Sequence, residues 1–348
     1  YQGNAVVLDA GIDMQGGTST WDIAITLSAP QTFTATANQM MLSNTINLNG
    51  HELTFSGGTW RTDSAGKITG SGGIRQIGGD EVILGADSSD YTGQTVVVSG
   101  RLQANGGGVL GAAGAGNETV IEPLGTLRTA GRGYTMAEPF ILKGGTLNIG
   151  NSGGAVTQVI FTGQFTLFAG TDSEILTNIG AGYDRTQITG LITGAGAFTK
   201  GGAAAGSNTL ELLHANDYSG GTTVTTGTLL ASVAGALGTG DVTVEPGAML
   251  DLQAAGAIGP DAVLYLLEDA GLCGQAYLGA DQEVLSLSLG GALVPAGTYT
   301  AGDYPDYLLG AGSITVREPA AAVEIPEPAS ALLVLAGAGL VARRRRRA

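Results

Sequence analysis

Hydrophobic and polar residues alternate over short stretches along this chain of 348 residues. Short runs of Val, Ile, Leu and Thr end at Gly, Asn or Asp, which is the pattern of β-strands closed by turns. Glycines recur every few residues, and each would destabilise a helix interior by about 1 kcal/mol. The pattern therefore predicts an all-β protein. The clearest predicted strands are 21–27, 32–37, 95–99, 156–161 and 241–245.

One segment of the chain occurs twice. Residues 90–102 and 217–229 share seven identities in thirteen positions without a gap. Internal repetition of this kind is typical of proteins built from stacked units. The recurring motif consists of Asp90, Tyr91, Gly93, Asp217, Tyr218 and Gly220.

A shorter period lies inside the long one. Gly-x-Leu begins at Gly100 and recurs at Gly125 and Gly145. Three strands of about five residues with tight corners use about 20 residues, which is one turn of a parallel β-helix and matches this recurrence. We predict a right-handed parallel β-helix, a β-solenoid, over residues 1–255. A β-sandwich is the alternative, and the regular recurrence of the motif favours the solenoid.

The C-terminal quarter has a different pattern. Residues 284–289 alternate strictly, residues 295–299 form a Pro/Gly/Tyr loop, and residues 310–316 close the segment. Solenoids need a cap that shields the last turn from edge pairing. We predict a small C-terminal β cap over residues 256–316, followed by an extended linker over 317–328.

Charge and residue counts exclude several classes of function. The chain has 30 acids and 15 bases, and five of the bases are terminal arginines, so the body will not bind nucleic acid by neutralising phosphates. Cys273 is the lone cysteine, which excludes an internal disulfide framework. His51 and His214 are too few for a three-histidine metal site. We predict no cofactor and no metal-binding residue.

Candidate catalytic patterns are weak. Residues 106–111 fit G-x-G-x-x-G and residues 150–154 fit G-x-S-x-G, but no helix is predicted after either one, and 60 glycines produce such matches by chance. Arg75 and Arg101 are the bases near the densest acidic group. That group comprises Asp80, Glu81, Asp87 and Asp90. We interpret it as a solvated face and predict no catalytic residue.

The repeats resemble a known family. Residues 192–201, Ile-Thr-Gly-Ala-Gly-Ala-Phe-Thr-Lys-Gly, together with residues 217–229, resemble the autotransporter-associated β-strand repeat, and residues 68–73 with 90–96 form a weaker copy. The resemblance implies a passenger-type parallel β-helix with repeats over 68–130 and 192–252. It implies little about chemistry, because that family is defined by its stacking pattern.

The C-terminus carries a second resemblance. Residues 329–342 are apolar except for Ser330, and a helix of 14 residues spans about 21 Å, short of the roughly 30 Å hydrocarbon core. We predict a short C-terminal apolar helix followed by an arginine tail over residues 329–348. With the motif before it, this segment resembles the PEP-CTERM sorting signal of Gram-negative bacteria. The residues that carry the resemblance are Pro326, Glu327, Pro328, Arg343, Arg344, Arg345, Arg346 and Arg347.

The sorting resemblance implies export and a protease partner. It implies transient anchoring in the inner membrane, recognition by an exosortase-type membrane protease, and delivery to the cell envelope, surface or extracellular matrix. An ordinary tail anchor is the alternative. Export requires a leader, and none precedes Tyr1, so we expect it to be missing or already removed.

Together these features predict an exported, non-enzymatic β-solenoid with a structural or adhesive role. Its expected partners are the exosortase and exopolysaccharide or other envelope proteins. The alternatives are a β-helix polysaccharide lyase or hydrolase and a glycan-binding module. An enzyme should bring charged residues together in one groove, and a binding module should expose a row of aromatic rings. Tyr91 and Tyr218 are predicted to pack at a corner, with glycan stacking as the alternative.

Overall fold

The computed structural model describes residues 2–36, 39–62, 65–78, 81–85, 90–130, 133–150, 159–178, 186–202 and 208–317. These residues form an all-β parallel solenoid of about 11 turns and contain no helix. None of this part of the chain could cross a membrane as a long apolar helix. The predicted linker beyond residue 317, the apolar helix and the arginine tail lie outside the described residues.

The strands are short, as the turn spacing predicts. The N-terminal strands are β1 Val6–Leu8, β2 Ile12–Met14, β3 Ser19–Trp21, β4 Ile25–Leu27, β5 Gln31–Ala35, β6 Gln39–Leu42, β7 Ile46–Asn47, β8 Leu53–Ser56, β9 Thr59–Thr62, β10 Ile68–Thr69, β11 Ile74–Ile77 and β12 Glu81–Leu84. The central strands are β13 Thr95–Ala104, β14 Thr119–Thr129, β15 Thr135–Met136, β16 Phe140–Leu142, β17 Thr146–Gly150, β18 Ile160–Phe161, β19 Phe165–Leu167, β20 Asp172–Asn178, β21 Thr186–Ile188, β22 Ile192–Gly194, β23 Ala197–Gly202, β24 Thr209–Leu212, β25 Thr222–Val224, β26 Thr228–Ala231, β27 Val242–Val244 and β28 Met249–Leu252. The C-terminal strands are β29 Val263–Leu266, β30 Glu268–Asp269, β31 Leu272–Cys273, β32 Gln275–Leu278, β33 Gln282–Val284, β34 Ser286–Leu289, β35 Ala292–Leu293, β36 Gly297–Thr300, β37 Leu308–Gly310 and β38 Ser313–Val316.

The first four turns each contribute one strand to each of three parallel ladders. One ladder is β1-β4-β7-β10, the second is β2-β5-β8-β11 and the third is β3-β6-β9-β12. In the first ladder Val6 aligns with Ile25, Ile25 with Ile46 and Ile46 with Ile68. The prediction of a parallel solenoid is confirmed, and the β-sandwich, which consists of antiparallel sheets, is wrong. Its right-handed sense stays a prediction.

Parallel stacking continues towards the C-terminus. One ladder runs β23-β25-β27-β29-β34, and another runs β24-β26-β28-β32-β37. Antiparallel pairs join them only after residue 267 among the described strands: β30 with β31, β34 with β35, and β36 with β38. Residues 256–316 thus combine further solenoid strands with antiparallel hairpins, and their action as a cap stays a prediction.

The core runs along the axis of the solenoid. Strand residues alternate between buried and outward positions, so that Ile25 and Leu27 lie inside while Thr26 lies between them on the surface side. Aromatic rings stack from one turn to the next, and Phe33 lies 5.9 Å from Phe55 and 5.5 Å from Trp60, measured between ring centroids. Each turn therefore buries its apolar face against its neighbours.

Candidate functional site

The first copy of the repeat motif places its tyrosine inside the solenoid. The Tyr91 side chain is buried, and its hydroxyl forms a short hydrogen bond with the Thr95 hydroxyl at the start of β13. The backbone N–H of Asp90 donates to Ile68 O at 3.1 Å, and that of Thr92 donates to Gly70 O at 3.0 Å. Burial raises the pKa of the Tyr91 hydroxyl well above its usual value.

The second copy repeats this geometry. Tyr218 is buried, and its hydroxyl lies 2.6 Å from the Thr222 hydroxyl at the start of β25. The N–H of Asp217 donates to Ile192 O at 3.2 Å, which matches the bond from Asp90 in the first copy. The two copies therefore occupy equivalent positions in one solenoid. Neither tyrosine ring is accessible to a glycan.

The glycine of the motif is required by close backbone contact. A Cβ atom at Gly93 would contact the backbone of Gly72 and Gly73 on the preceding turn. A Cβ atom at Gly220 would contact the backbone of Gly196 in the same way. Because backbone atoms cannot move aside as a side chain can, the corner accepts only glycine at these two positions.

Lys200, in β23, is a buried charged side chain that was not predicted as a candidate site from the sequence. It is fully buried, and its Nζ donates to Asn208 O at 2.8 Å and to Thr226 O at 2.5 Å. Burial lowers its pKa to about 8. Gln76 holds the corresponding core position in the first copy, because Ile74 aligns with Thr95 just as Phe198 aligns with Thr222. The sequence feature that could have revealed Lys200 is the presence of a lysine inside the repeat. Its hydrogen bonds to two backbone carbonyl oxygens give it a structural role.

Two carboxyl groups near the first copy have pKa values shifted in opposite directions. Glu138 is only 3% exposed, accepts a hydrogen bond from the Thr119 hydroxyl at 2.8 Å, and has its pKa raised to about 8 by burial. Glu118 has its pKa lowered by the N–H of Gly116 and by Gln94. Such pairs often mark acid/base catalysis. Here Glu118 lines a surface cleft of about 420 Å³, whereas Glu138 points into the core and does not line it.

The described part of the acidic group does not form a charged groove. Asp80 and Asp87 lie outside the described residues. Glu81 accepts from Arg101, with 2.6 Å between Oε1 and Nε, and Arg75 pairs with Glu52 at 3.0 Å. Both arginines are thus neutralised by carboxylates on the preceding turn. This geometry supports a solvated, ion-paired face.

The remaining candidate patterns also lack partners for chemistry. Residues 106–111 form a loop between β13 and β14, with no helix after them. Residues 151–154 of the second pattern lie outside the described residues. Within the described ranges no three His, Cys, Asp or Glu side chains could hold a metal ion together. Cys273 is a half-buried free thiol, and the His214 ring contacts Ala215 O at 2.7 Å.

The outer surface consists of polar residues stacked from turn to turn. Thr126, Thr146, Glu174 and Thr199 align in register on successive turns, and the Thr146 hydroxyl donates to Glu174 at 3.0 Å. Lys143 pairs with Glu122 on the preceding turn at 2.9 Å. Polar groups on this surface therefore find their partners along the stack.

Exposed rings are few and do not form a row. Among the large hydrophobic side chains of the described residues, the exposed aromatic ones are Phe168 and Tyr277, which lie several turns apart in the stack. Phe168 packs beneath Lys143, whose Nζ lies 5.6 Å from the ring centroid. The stack of aromatic platforms that a glycan-binding module needs is therefore not seen in the described part of the chain.

Comparison with known proteins supports the repeats. The family model described as passenger-associated-transport-repeat matches residues 74–104 and 204–231. The adhesin BmaC autotransporter of Brucella suis biovar 1 (strain 1330) is 30% identical over 267 residues, which cover 74% of this chain and 6% of that protein. No solved structure matches.

These matches agree with the geometry of the two tyrosine corners, both of which lie inside the matched segments. The chain spans only a small part of the length of the adhesin, and neither comparison identifies a sorting signal. The protein therefore carries two segments that match the passenger-associated-transport-repeat, and it is similar over most of its own length to a short section of an autotransporter adhesin.

Proposed function

We propose that this protein is an exported, non-enzymatic surface solenoid of a Gram-negative bacterium with a structural or adhesive role. The observation that carries the proposal is the stacked polar surface, in which charged side chains pair between turns instead of converging on a groove. The similarity to a short section of an autotransporter adhesin supports the same role. An acidic rod also resists association with other copies, because its like charges repel.

The clefts of the described surface support this proposal over an enzyme. A cleft of about 590 Å³ near the C-terminal end is lined by Glu268, Asp306 and Tyr307, and the Tyr307 hydroxyl donates to Glu268 at 2.8 Å. Among the described residues, no lysine, arginine or histidine lines this cleft or the cleft at Glu118. Polysaccharide lyases and hydrolases need a base and an acid that face one substrate.

Loss of the protein is expected to reduce attachment of the cells that make it to a surface or to their own matrix. Attached cells are counted for a deletion strain, for the strain complemented with the full chain, and for one complemented with a variant that has alanine at Asp80, Glu81, Asp87 and Asp90. Both complemented strains should attach equally, since the acidic group has no catalytic role. Purified protein that cleaves an envelope glycan faster than this variant would contradict the proposal.

We further propose that the C-terminal segment directs sorting. Replacement of Pro326, Glu327 and Pro328 by alanine should leave the full-length protein in the inner membrane, because two prolines hold the segment extended for a protease cleft. Mass spectrometry of the surface-exposed wild-type protein should find residues 329–348 removed. Pro319→Ala, a proline replacement in the same linker, is the control and should be processed normally. Arginines still attached at the surface would indicate a tail anchor instead.

A further inference from the structure

An apolar groove of about 350 Å³ lies beside the point where the described chain ends. It lies between the hairpin β34–β35 and the last strand, β38. Leu293, in the exposed strand β35, has 72% of its side chain exposed at the rim of the groove. The apolar residues that line the groove are Leu285, Leu293, Val294, Pro295, Ala296 and Val316.

The exit of the chain is fixed at the edge of this groove. The N–H of Arg317 donates to Val284 O at 3.0 Å. Its guanidinium contacts Asp261 and lies 3.4 Å from Glu283, measured from Nε to Oε1. Arg317 itself lines the groove. The residues that follow therefore start from a defined position next to an exposed apolar surface.

The next segment has the composition to fill the groove. Residues 320–325 read Ala-Ala-Ala-Val-Glu-Ile. Val323 comes six positions after Arg317, and an extended chain of that length reaches at most about 20 Å, so Val323 can return to Leu293. We propose that residues 320–325 dock into the groove of the same chain and cover Leu293.

Docking within one chain is favoured over other occupants by proximity and charge. A tether this short gives an effective concentration on the order of millimolar, so even a weak apolar contact is occupied. A second copy would have to approach an acidic surface, because residues 208–316 contain twelve Asp and Glu and no Lys or Arg. The segment 320–325 carries a single acid, Glu324.

Disulfide trapping tests the proposal in the full-length chain. The native thiol is removed with Cys273→Ser, and cysteines are introduced as the pair Leu293→Cys and Val323→Cys. Under mild oxidation this pair should close an intramolecular disulfide roughly tenfold or more faster than the control pair Leu124→Cys and Val323→Cys. Leu124 is the matched control because its side chain is 79% exposed but lies on β14, many turns away.

A second measurement detects docking without a disulfide. In the Cys273→Ser background, the single thiol introduced by Val323→Cys is alkylated with iodoacetamide, with and without Leu293→Glu. A carboxylate at the rim disfavours burial of the segment, so alkylation should become several-fold faster. Equal disulfide rates for the two pairs, or an unchanged alkylation rate, would overturn the proposal. Disulfide-linked dimers in place of monomers would assign the groove to a second copy and overturn it as well.

Docking would place the motif at Pro326 directly after the solenoid body. This consequence rests on the proposed sorting function, but the trapping experiment does not. If the disulfide does not form but the tail is processed normally, the docking proposal alone is rejected. If the disulfide forms but the tail is not processed, the sorting proposal alone is rejected.

Discussion

Replacing Tyr218 by alanine is expected to destabilise the solenoid by about 3–5 kcal/mol, the usual cost of deleting a buried aromatic ring. The ring is fully buried and contacts Phe198, with 5.4 Å between the ring centroids. The change also leaves the buried Thr222 hydroxyl without its partner, which adds a desolvation cost. The measurement is the urea concentration at which β-sheet circular dichroism is half lost.

Two further variants separate the loss of the buried ring from the loss of the hydrogen bond and from the removal of an exposed ring. Tyr218→Phe keeps the ring and loses the hydrogen bond, so it should cost about 1 kcal/mol. Tyr277→Ala removes a ring that is 38% exposed and should change stability by less than about 1 kcal/mol. If Tyr218→Ala and Tyr277→Ala reduced the stability by the same small amount, the Tyr218 ring would not be important for packing in the repeat.

The stability of the protein is expected to fall as pH rises from about 5 to about 8, and Glu138 is the residue responsible. Burial raises the pKa of Glu138 to about 8, from the value near 4.5 of an exposed glutamate. The folded state therefore holds a proton that the unfolded state has already lost. The stabilisation is fully present below the unfolded pKa and is lost as pH rises through the folded pKa. The loss is on the order of 5 kcal/mol, since the pKa rises by about 3.5 units and each unit corresponds to about 1.4 kcal/mol.

Glu138→Gln removes the titrating group and keeps an oxygen that can accept from Thr119. The variant should show a flatter dependence of melting temperature on pH between 5 and 8 and should be more stable than the wild type at pH 8.5. Glu118→Gln is the matched control one turn away. The lowered pKa of Glu118 gives stability that is lost as pH falls, so this variant should leave the decline above pH 5 in place. An unchanged slope in Glu138→Gln would show that the carboxyl is not protonated in the core.

Much of the architecture could be predicted from short-range pattern. The predicted run 95–99 lies within β13. Residues 32–35 of the predicted run 32–37 lie within β5, where buried and outward positions alternate with the period of the pleat. The recurrence of one motif correctly placed Tyr91 and Tyr218 in equivalent corners, because identical local sequence recreates the same contacts with neighbouring turns. Residues 21–27 were predicted as one strand but contain the last residue of β3 and the whole of β4, with a corner between them. The corner at residues 22–24 contains neither Gly nor Pro, and Asp22 is the one residue in it that favours a turn, so the local turn signal was weak.

The sequence by itself determined the class of fold, the length of a turn and the two repeat copies. These follow from spacing along the chain, and each turn contacts only its neighbours. The tertiary structure alone decided which polar residues lie in the core. In the first copy Thr95 aligns with Thr119, whose hydroxyl donates a hydrogen bond to the buried Glu138. In the second copy Thr222 aligns instead with the apolar Val242. Burial of Lys200 likewise depends on carbonyls of Asn208 and Thr226, which come from other strands and turns. Alternation with a period of two predicts which strand positions face the core. Whether a polar group is stable at such a position depends on hydrogen-bond partners that only the neighbouring turns supply.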